Sequence, residues 1–417
     1  MLKINPFQEK IKFLNTEKMK KLLLIIIFLI LSFNSFSQFE KIKSFQKQLI
    51  DNEITGSNIA MVYKNSEVIY YNIQNSGKVG DKNINSQSYK PYKETIFPIW
   101  SMSKPITTVA ILILLEKGLV DLNDRISKYI PELGSMKCES ENGVYPCKNE
   151  IKIIDLLTHR SGFGYYGEAG YGYGFTNTIK YDNLESFAKD LSSVILKFEP
   201  GTKYFYGINQ AVLGRVAEVA SNKTFYQFLK EEIFDPLEMN ETKFYLDPED
   251  QSRFQPLFIN TGDLKGFTYE LNELSYKKDN EAYFGGEGLV STLNDYANFC
   301  KMLLNNGTYN GKRIIKKESI DLMTKKYSNS YPKEEYADIR KLGFYYGFSL
   351  FVLEKPEIDK TNSSKGIYGW SGYHNTHFWI DPEKKLFAIF LSRSRQGIST
   401  FDTQKEFRKA VYSSLQN

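Results

Sequence analysis

Between residues 101 and 117 the sequence is apolar nearly all round. Ile106, Val109, Ala110, Ile113 and Leu114 recur at helical spacing as one stripe, and Ile111, Leu112 and Leu115 fill much of the remainder. A helix of this kind belongs inside a protein rather than on its surface. The spacing predicts a buried core helix, with Pro105 tolerated in its first turns and Gly118 ending it. Its entrance is polar, Ser101-Met102-Ser103-Lys104. A hydroxyl and an amine three residues apart share a helical face, about 5–6 Å apart at Cβ, so Lys104 can reach Ser101 and take its proton. Serine is a weak nucleophile at neutral pH without such a base. Ser-x-x-Lys is short enough to arise by chance, so its meaning depends on its surroundings.

Those surroundings predict a sheet built from both ends of the chain. Strand-like runs at 59–63 and 68–73 are separated by a turn at Asn65-Ser66. Runs at 376–380 and 386–391 are joined by Asp381-Pro382-Glu383-Lys384-Lys385. Tight turns between neighbouring strands imply antiparallel pairing. Amphipathic helices are expected at 39–53 (Phe39, Ile42, Phe45, Leu49, Ile50) and at 403–415 (Phe407, Val411, Leu415). Helical patterns at 183–196, 208–221 and 224–234 fill the middle. Gly285-Gly286-Glu287-Gly288-Leu289 reads as a tight turn before a further helix at 292–305. The expected fold class is α/β in the α+β sense, an antiparallel sheet flanked by helices with an inserted, mostly helical part. The α/β part spans about 39–130 and 290–417, and the helical part about 131–289. The Gly/Tyr-rich tract 161–176 is either a flap over a site or a plain surface loop.

Met19-Lys20-Lys21, ten apolar residues at 22–31 and the small residues before Gln38 read as a secretory signal peptide cleaved after Ser37. The apolar stretch is short for a membrane span, which needs about 20 residues, and no cysteine in it suggests a lipid anchor. Export to the periplasm or the medium is expected, with no stable membrane span after cleavage. The formal net charge of the chain is +5; six lysines against two glutamates in residues 1–37 account for +4 of it, leaving +1. That balance gives no reason to expect a nucleic-acid partner. Cys138 and Cys147 bracket a short polar loop and can form one local disulfide in an exported protein. Cys300 lies in an apolar helical pattern as a buried thiol. Three histidines, His159, His374 and His377, have no ligand-like spacing with the cysteines, so no metal or cofactor is expected.

Further motifs follow the Ser-x-x-Lys in a fixed order. They are Leu156-Leu157-Thr158-His159-Arg160-Ser161-Gly162, Tyr206 with Val212-Leu213-Gly214 downstream, and Ile233-Phe234-Asp235-Pro236-Leu237-Glu238-Met239. After these come residues 285–292 and Trp370-Ser371-Gly372 leading into Phe378-Trp379-Ile380-Asp381-Pro382. Over about residues 59–393 the chain resembles the serine β-lactamase and penicillin-binding protein superfamily, and within it the class C β-lactamases and their esterase relatives, the family VIII carboxylesterases. The resemblance implies a β-lactamase/transpeptidase-like fold and assigns roles. Ser101 is the nucleophile, at a helix N-terminus where free N–H groups favour negative charge. Lys104 is its base, helped by burial, which disfavours a charged amine. Tyr206 relays the proton, with Tyr204 as the fallback. Trp370, Ser371 and Gly372 line the site, and the N–H groups of Tyr373 and Ser101 form an oxyanion hole.

Two positions depart from the β-lactamase pattern. Trp370 stands where a lysine would help hold a substrate carboxylate, and the tyrosine element has Ile208 at +2, with Asn209 one later. Gly369-Trp370-Ser371-Gly372-Tyr373 is not a nucleophile elbow, since no strand-to-helix transition follows it. His159 is expected as a structural residue at a helix end. The implied activity is an exported serine hydrolase that forms an acyl-enzyme on small ester or amide substrates. The alternatives are a D-alanyl-D-alanine carboxypeptidase or β-lactamase acting on cell-wall peptides or β-lactams, and a catalytically silent envelope binding protein.

Overall fold

Seven strands form one antiparallel sheet. They are β1 (Ser57–Lys64), β2 (Glu67–Asn75), β3 (Phe344–Tyr346), β4 (Phe351–Leu353), β5 (Tyr368–Gly372), β6 (Thr376–Asp381) and β7 (Leu386–Ser392). Their spatial order is β3-β4-β5-β6-β7-β1-β2. The seam between the two chain ends is β1 against β7, with Asn58 opposite Ser392 and Lys64 opposite Leu386. The computed structural model describes residues 39–76, 92–165, 181–260, 265–268, 276–330, 339, 341–396 and 402–415. The expected signal segment and residues 166–176 of the Gly/Tyr tract lie outside these. Asn65 and Ser66 both take positive φ, 49° and 70°, the twist a tight hairpin turn needs.

Alternation along β1 separates two layers. Ala60 and Val62 face α1 (Glu40–Asp51) and the C-terminal helix, packing with Ile42, Phe45, Leu49, Phe407 and Val411. Ile59 and Met61 face the other way, into the main core. That core surrounds α2 (Ser103–Glu116), every residue of which is buried from Ser103 to Leu114. Gly118, at φ 70°, closes it. Within the middle of the chain lie α3 (Leu184–Leu191), α4 (Asn209–Ser221) and, before the last strands, α5 (Leu293–Leu304). The α4 helix packs on α2, and α5 packs on β6 and β7. Asn183 and Thr292 cap α3 and α5 by accepting from Ser186 N and Asp295 N. The C-terminal helix is α6 (Thr403–Ser414). Among the described residues, no helix is long and apolar enough to cross a membrane.

The middle of the chain is less helical than its patterns suggest. Lys137–Ser140, Gly143–Pro146 and Ile195–Leu196 make a small sheet, and Leu257–Asn260, Lys265–Thr268 and Ser394–Gln396 make another. The stretch between Cys138 and Cys147, read as a polar loop, is a hairpin stapled by their disulfide, with the Cα atoms 5.1 Å apart. Most of its residues are exposed and only Cys138 is buried, so no apolar alternation marks the strands. The pattern at 183–196 stops at Leu191, after which Ile195 pairs with Lys137. The pattern at 224–234 is a short helix, Phe225–Leu229, running into a π turn at Lys230–Phe234. Cys300 is a buried free thiol.

His377 on β6 is buried among aromatic rings, its own ring stacked on Phe390 at 5.1 Å and edge-on to Phe407 at 5.4 Å. Neither ring nitrogen has a hydrogen-bond partner. Burial, with a smaller contribution from Arg408, lowers its pKa from 6.5 to about 3. The unfolded chain therefore takes up a proton below pH 6.5 that the fold refuses until about pH 3, and stability falls by about 1.4 kcal/mol per pH unit across that window. His377→Phe should remove this slope. Urea unfolding over a pH series should show a flatter acid limb in the variant, and an unchanged slope would refute the assignment.

Candidate active site

The chain enters α2 through one turn of 3-10 helix, Trp100–Met102. Trp100 is buried and takes φ 49°, a left-handed conformation that costs a side-chain-bearing residue about 1–2 kcal/mol. Packing holds it there. The indole sits in a cluster with Ile96, Leu246, Phe254, Tyr276 and Val290, and the rings of Tyr373 and His374 meet it edge-on at 5.5 and 5.3 Å. The turn sets Ser101 at the head of the buried helix.

Ser101 Oγ accepts hydrogen bonds from Lys104 Nζ at 3.0 Å and from Tyr206 OH at 2.9 Å. Lys104 is 0 % exposed. Its Nζ also donates to Gly286 O at 2.7 Å and to Tyr165 OH at 2.8 Å, so all three ammonium hydrogens find acceptors. Nζ lies 5.0 Å from the centre of the Tyr206 ring and 5.4 Å from that of Tyr165. The sequence-predicted trio of Ser101, Lys104 and Tyr206 is thus brought together. Tyr204, the fallback, instead stacks on Tyr346 at 4.5 Å.

Tyr206 is held by the glycine after it. A Cβ on Gly207 would lie 2.4 Å from Phe163 O, so only glycine lets this loop press against residues 161–165. Asn209 opens α4 facing away from Ser101: its Nδ2 is 2.8 Å from His159 Nδ1, and its Oδ1 accepts from Ser161 Oγ at 2.5 Å. His159 takes φ 55° just beyond the short helix Ile153–Leu157. Burial, and then the nearby Lys104 charge, hold its imidazole well below the usual histidine range. It is a neutral brace between Asn209 and Ser349, whose Oγ is 3.4 Å from Nε2. His374 packs on Trp100 and Tyr373.

The end of β5 abuts the Ser101 turn. A Cβ on Gly372 would lie 2.2 Å from Thr376 Oγ1 and 2.4 Å from Ile99 O. The two segments whose amides are expected to form the oxyanion hole, at Ser101 and Tyr373, therefore run side by side. Tyr373 is 45 % exposed and Trp370 only 8 %. The Trp370 ring lies 5.9 Å from that of Tyr206, 5.9 Å from Phe351 and 6.1 Å from Tyr346. It is both a core aromatic and a wall of the site. Trp370 and Ser371 also border a cavity of about 340 Å³, with Leu342, Phe344 and Phe351 on its apolar side and Arg408 among its polar walls.

Sequence reasoning missed three participants, Tyr165, the carbonyl of Gly286 and Glu287. Tyr165 OH donates to Glu287 Oε2 at 3.3 Å. Burial pushes its phenol well above the usual range, and the Glu287 charge adds to this. Glu287 is 3 % exposed. Burial raises its carboxyl, while the Lys104 charge and the Tyr165 hydrogen bond act in the opposite direction. An acid inside the glycine-rich turn at 285–288 was a visible signal, but nothing in the sequence named its partner.

The sheet drawn from both chain ends, and the buried helix set against it, place the molecule in the β-lactamase/transpeptidase fold class. The match of the Beta-lactamase family model to residues 44–413 makes the membership plain: the chain belongs to the β-lactamase family of serine hydrolases. Esterase EstB of Burkholderia gladioli is 21% identical over 390 residues, covering 88% of this chain and 93% of that protein. A putative D-alanyl-D-alanine carboxypeptidase of Escherichia coli K12 is 24% identical over 354 residues, covering 80% and 77%. Among solved structures, EstCE1, a hydrolase with promiscuous acyltransferase activity, superposes with a TM-score of 0.72 at 22% identity, covering 91% of this chain and 99% of that one.

Proposed function

We propose that the protein is an exported esterase that works through an acyl-enzyme on Ser101. One observation carries this reading: the Ser101 hydroxyl is held at hydrogen-bond distance by both Lys104 Nζ and Tyr206 OH. Lys104 takes the serine proton as Oγ attacks the ester carbonyl. The amides of Ser101 and Tyr373 receive the charge that develops on the carbonyl oxygen. Tyr206 passes a proton to the departing alkoxide, the acyl–oxygen bond to the leaving group breaks, and an ester to Ser101 remains. Water then attacks that ester, its proton returning through the same two groups, and the free acid leaves. Export rests on the residues 1–37 pattern.

Ester substrates are favoured by what borders the site. Trp370 supplies an aromatic wall where a lysine would grip a carboxylate, with the rings of Phe351 and Tyr346 packed around it. The family relationship to an esterase such as EstB supports the same choice. A second reading, hydrolysis of D-alanyl peptides or β-lactams, draws on the E. coli carboxypeptidase-like relative.

A panel of p-nitrophenyl esters, D-alanyl-D-alanine peptides and β-lactams, with Ser101→Ala as the blank, separates the two. Esters should be turned over with kcat/KM roughly 10- to 100-fold above the carboxylate-bearing substrates, the worth of one missing charged hydrogen bond. Faster turnover of any β-lactam or D-peptide than of every ester would reverse the choice.

A further inference from the structure

Lys104 has two tasks that conflict. As an ammonium it donates three hydrogen bonds; as the base for Ser101 it must present a lone pair to that one partner. A neutral amine has two N–H groups and one lone pair. Gly286 O can only accept, so it takes one N–H. Ser101 needs the lone pair. The outcome therefore depends on Tyr165, whose hydroxyl lies 2.8 Å from Nζ and can either accept from the amine or donate to it. If Tyr165 donated, it would occupy the lone pair and leave Ser101 without a base.

The hydroxyl is turned the other way by Glu287. Tyr165 OH gives its single proton to Glu287 Oε2 at 3.3 Å, which leaves its lone pairs facing Lys104. Glu287 is buried beside the Lys104 charge and hydrogen-bonded to Tyr165. Its Oε1 is buried with no hydrogen-bond partner, an arrangement that costs stability and calls for a reason. The flanking glycines press the turn inward: a Cβ on Gly286 would lie 3.3 Å from Lys104 Nζ, and one on Gly288 would lie 2.7 Å from the Phe244 ring. On the α2 side, Thr107 Oγ1 donates to Gly285 O at 2.7 Å and locks the turn in place.

We propose that Glu287 is a positioning residue that acts through Tyr165, fixing the direction of the hydrogen-bond chain so that the lone pair of Lys104 points at Ser101. This rests on the acyl-enzyme reading above. It makes no contact between Glu287 and substrate necessary.

The rate at which a fluorophosphonate labels Ser101, followed by intact mass at mildly alkaline pH, tests it without knowledge of the natural substrate. Wild type, Glu287→Leu, Tyr165→Phe and the double variant form one cycle. Glu287→Leu should label at least about 10-fold more slowly, because Tyr165 then donates to Lys104. In the Tyr165→Phe background the same substitution should change the rate by less than about 3-fold. A Glu287→Leu protein that labels at the wild-type rate, or losses that multiply in the double variant, would overturn the inference. Should Glu287→Leu fail to fold by circular dichroism, Glu287→Met, which likewise removes the acceptor for Tyr165 OH, completes the cycle on the same criteria. An unlabelled wild type would instead refute the acyl-enzyme reading itself, before any variant is compared.

Discussion

Replacing Ser101 by alanine should abolish covalent labelling by acyl and phosphonyl probes and lower ester turnover by roughly 10⁴- to 10⁶-fold, the range seen when a nucleophile is deleted from a group that acts as a unit. The change removes one oxygen from a partly buried position and leaves the neighbouring framework standing. Lys104 keeps Gly286 O and Tyr165 OH as partners, and Tyr206 keeps its packing on Trp370 and Tyr165. Folding should be unaffected, so the loss reads chemistry alone. Mass spectrometry of the intact protein after exposure to a fluorophosphonate gives the result directly. A retained adduct would place the nucleophile elsewhere.

Replacing Lys104 is expected to be nearly as damaging. General-base assistance is worth about 10²- to 10⁴-fold, and the upper part of that range applies because no other side chain takes over. His159 is committed to Asn209 and Ser349. Tyr206 would keep its hydrogen bond to Ser101, but no amine would stand beside the serine to take its proton. Lys104→Met keeps the volume of a fully buried side chain and avoids the cavity that alanine would open. Its labelling rate should fall at least about 10³-fold while its circular dichroism spectrum stays that of wild type. Labelling within tenfold of wild type would remove Lys104 from the mechanism.

The elements that could be read beforehand are those whose own residues carry the signal. The α2 helix announces itself because burial on every side demands apolar residues on every side. The β1–β2 and β6–β7 hairpins have long strands and turn residues between them, and α5 begins at a threonine cap. The three-residue strands β3 and β4 are too short to show a period, and the hairpin at Cys138 turns little more than Cys138 and Tyr145 toward the core. The site divides in the same way. Ser101 and Lys104 are three residues apart on one helix, so local geometry nearly suffices. Tyr165 and Glu287 meet across 122 positions of sequence, and no local pattern encodes which phenol turns toward which acid. Asn209 was legible as a displaced site residue, but the fold uses it to hold His159. Trp370 was legible as lining the site, but not as a core aromatic as well; a strand ending at the cleft lets one ring do both.

The pairing of β1 with β7 has a consequence for how the molecule comes into being. Met61 finds its neighbour Ile389 only after nearly the whole chain has been synthesised. Contacts of such long range make folding slow, and until they form, the β1–β2 hairpin is an incomplete sheet with an open edge. A newborn chain therefore has no finished platform on which to seat the Ser101 turn against β5. The reactive centre therefore assembles late, only when the strands from both parts of the sequence have met.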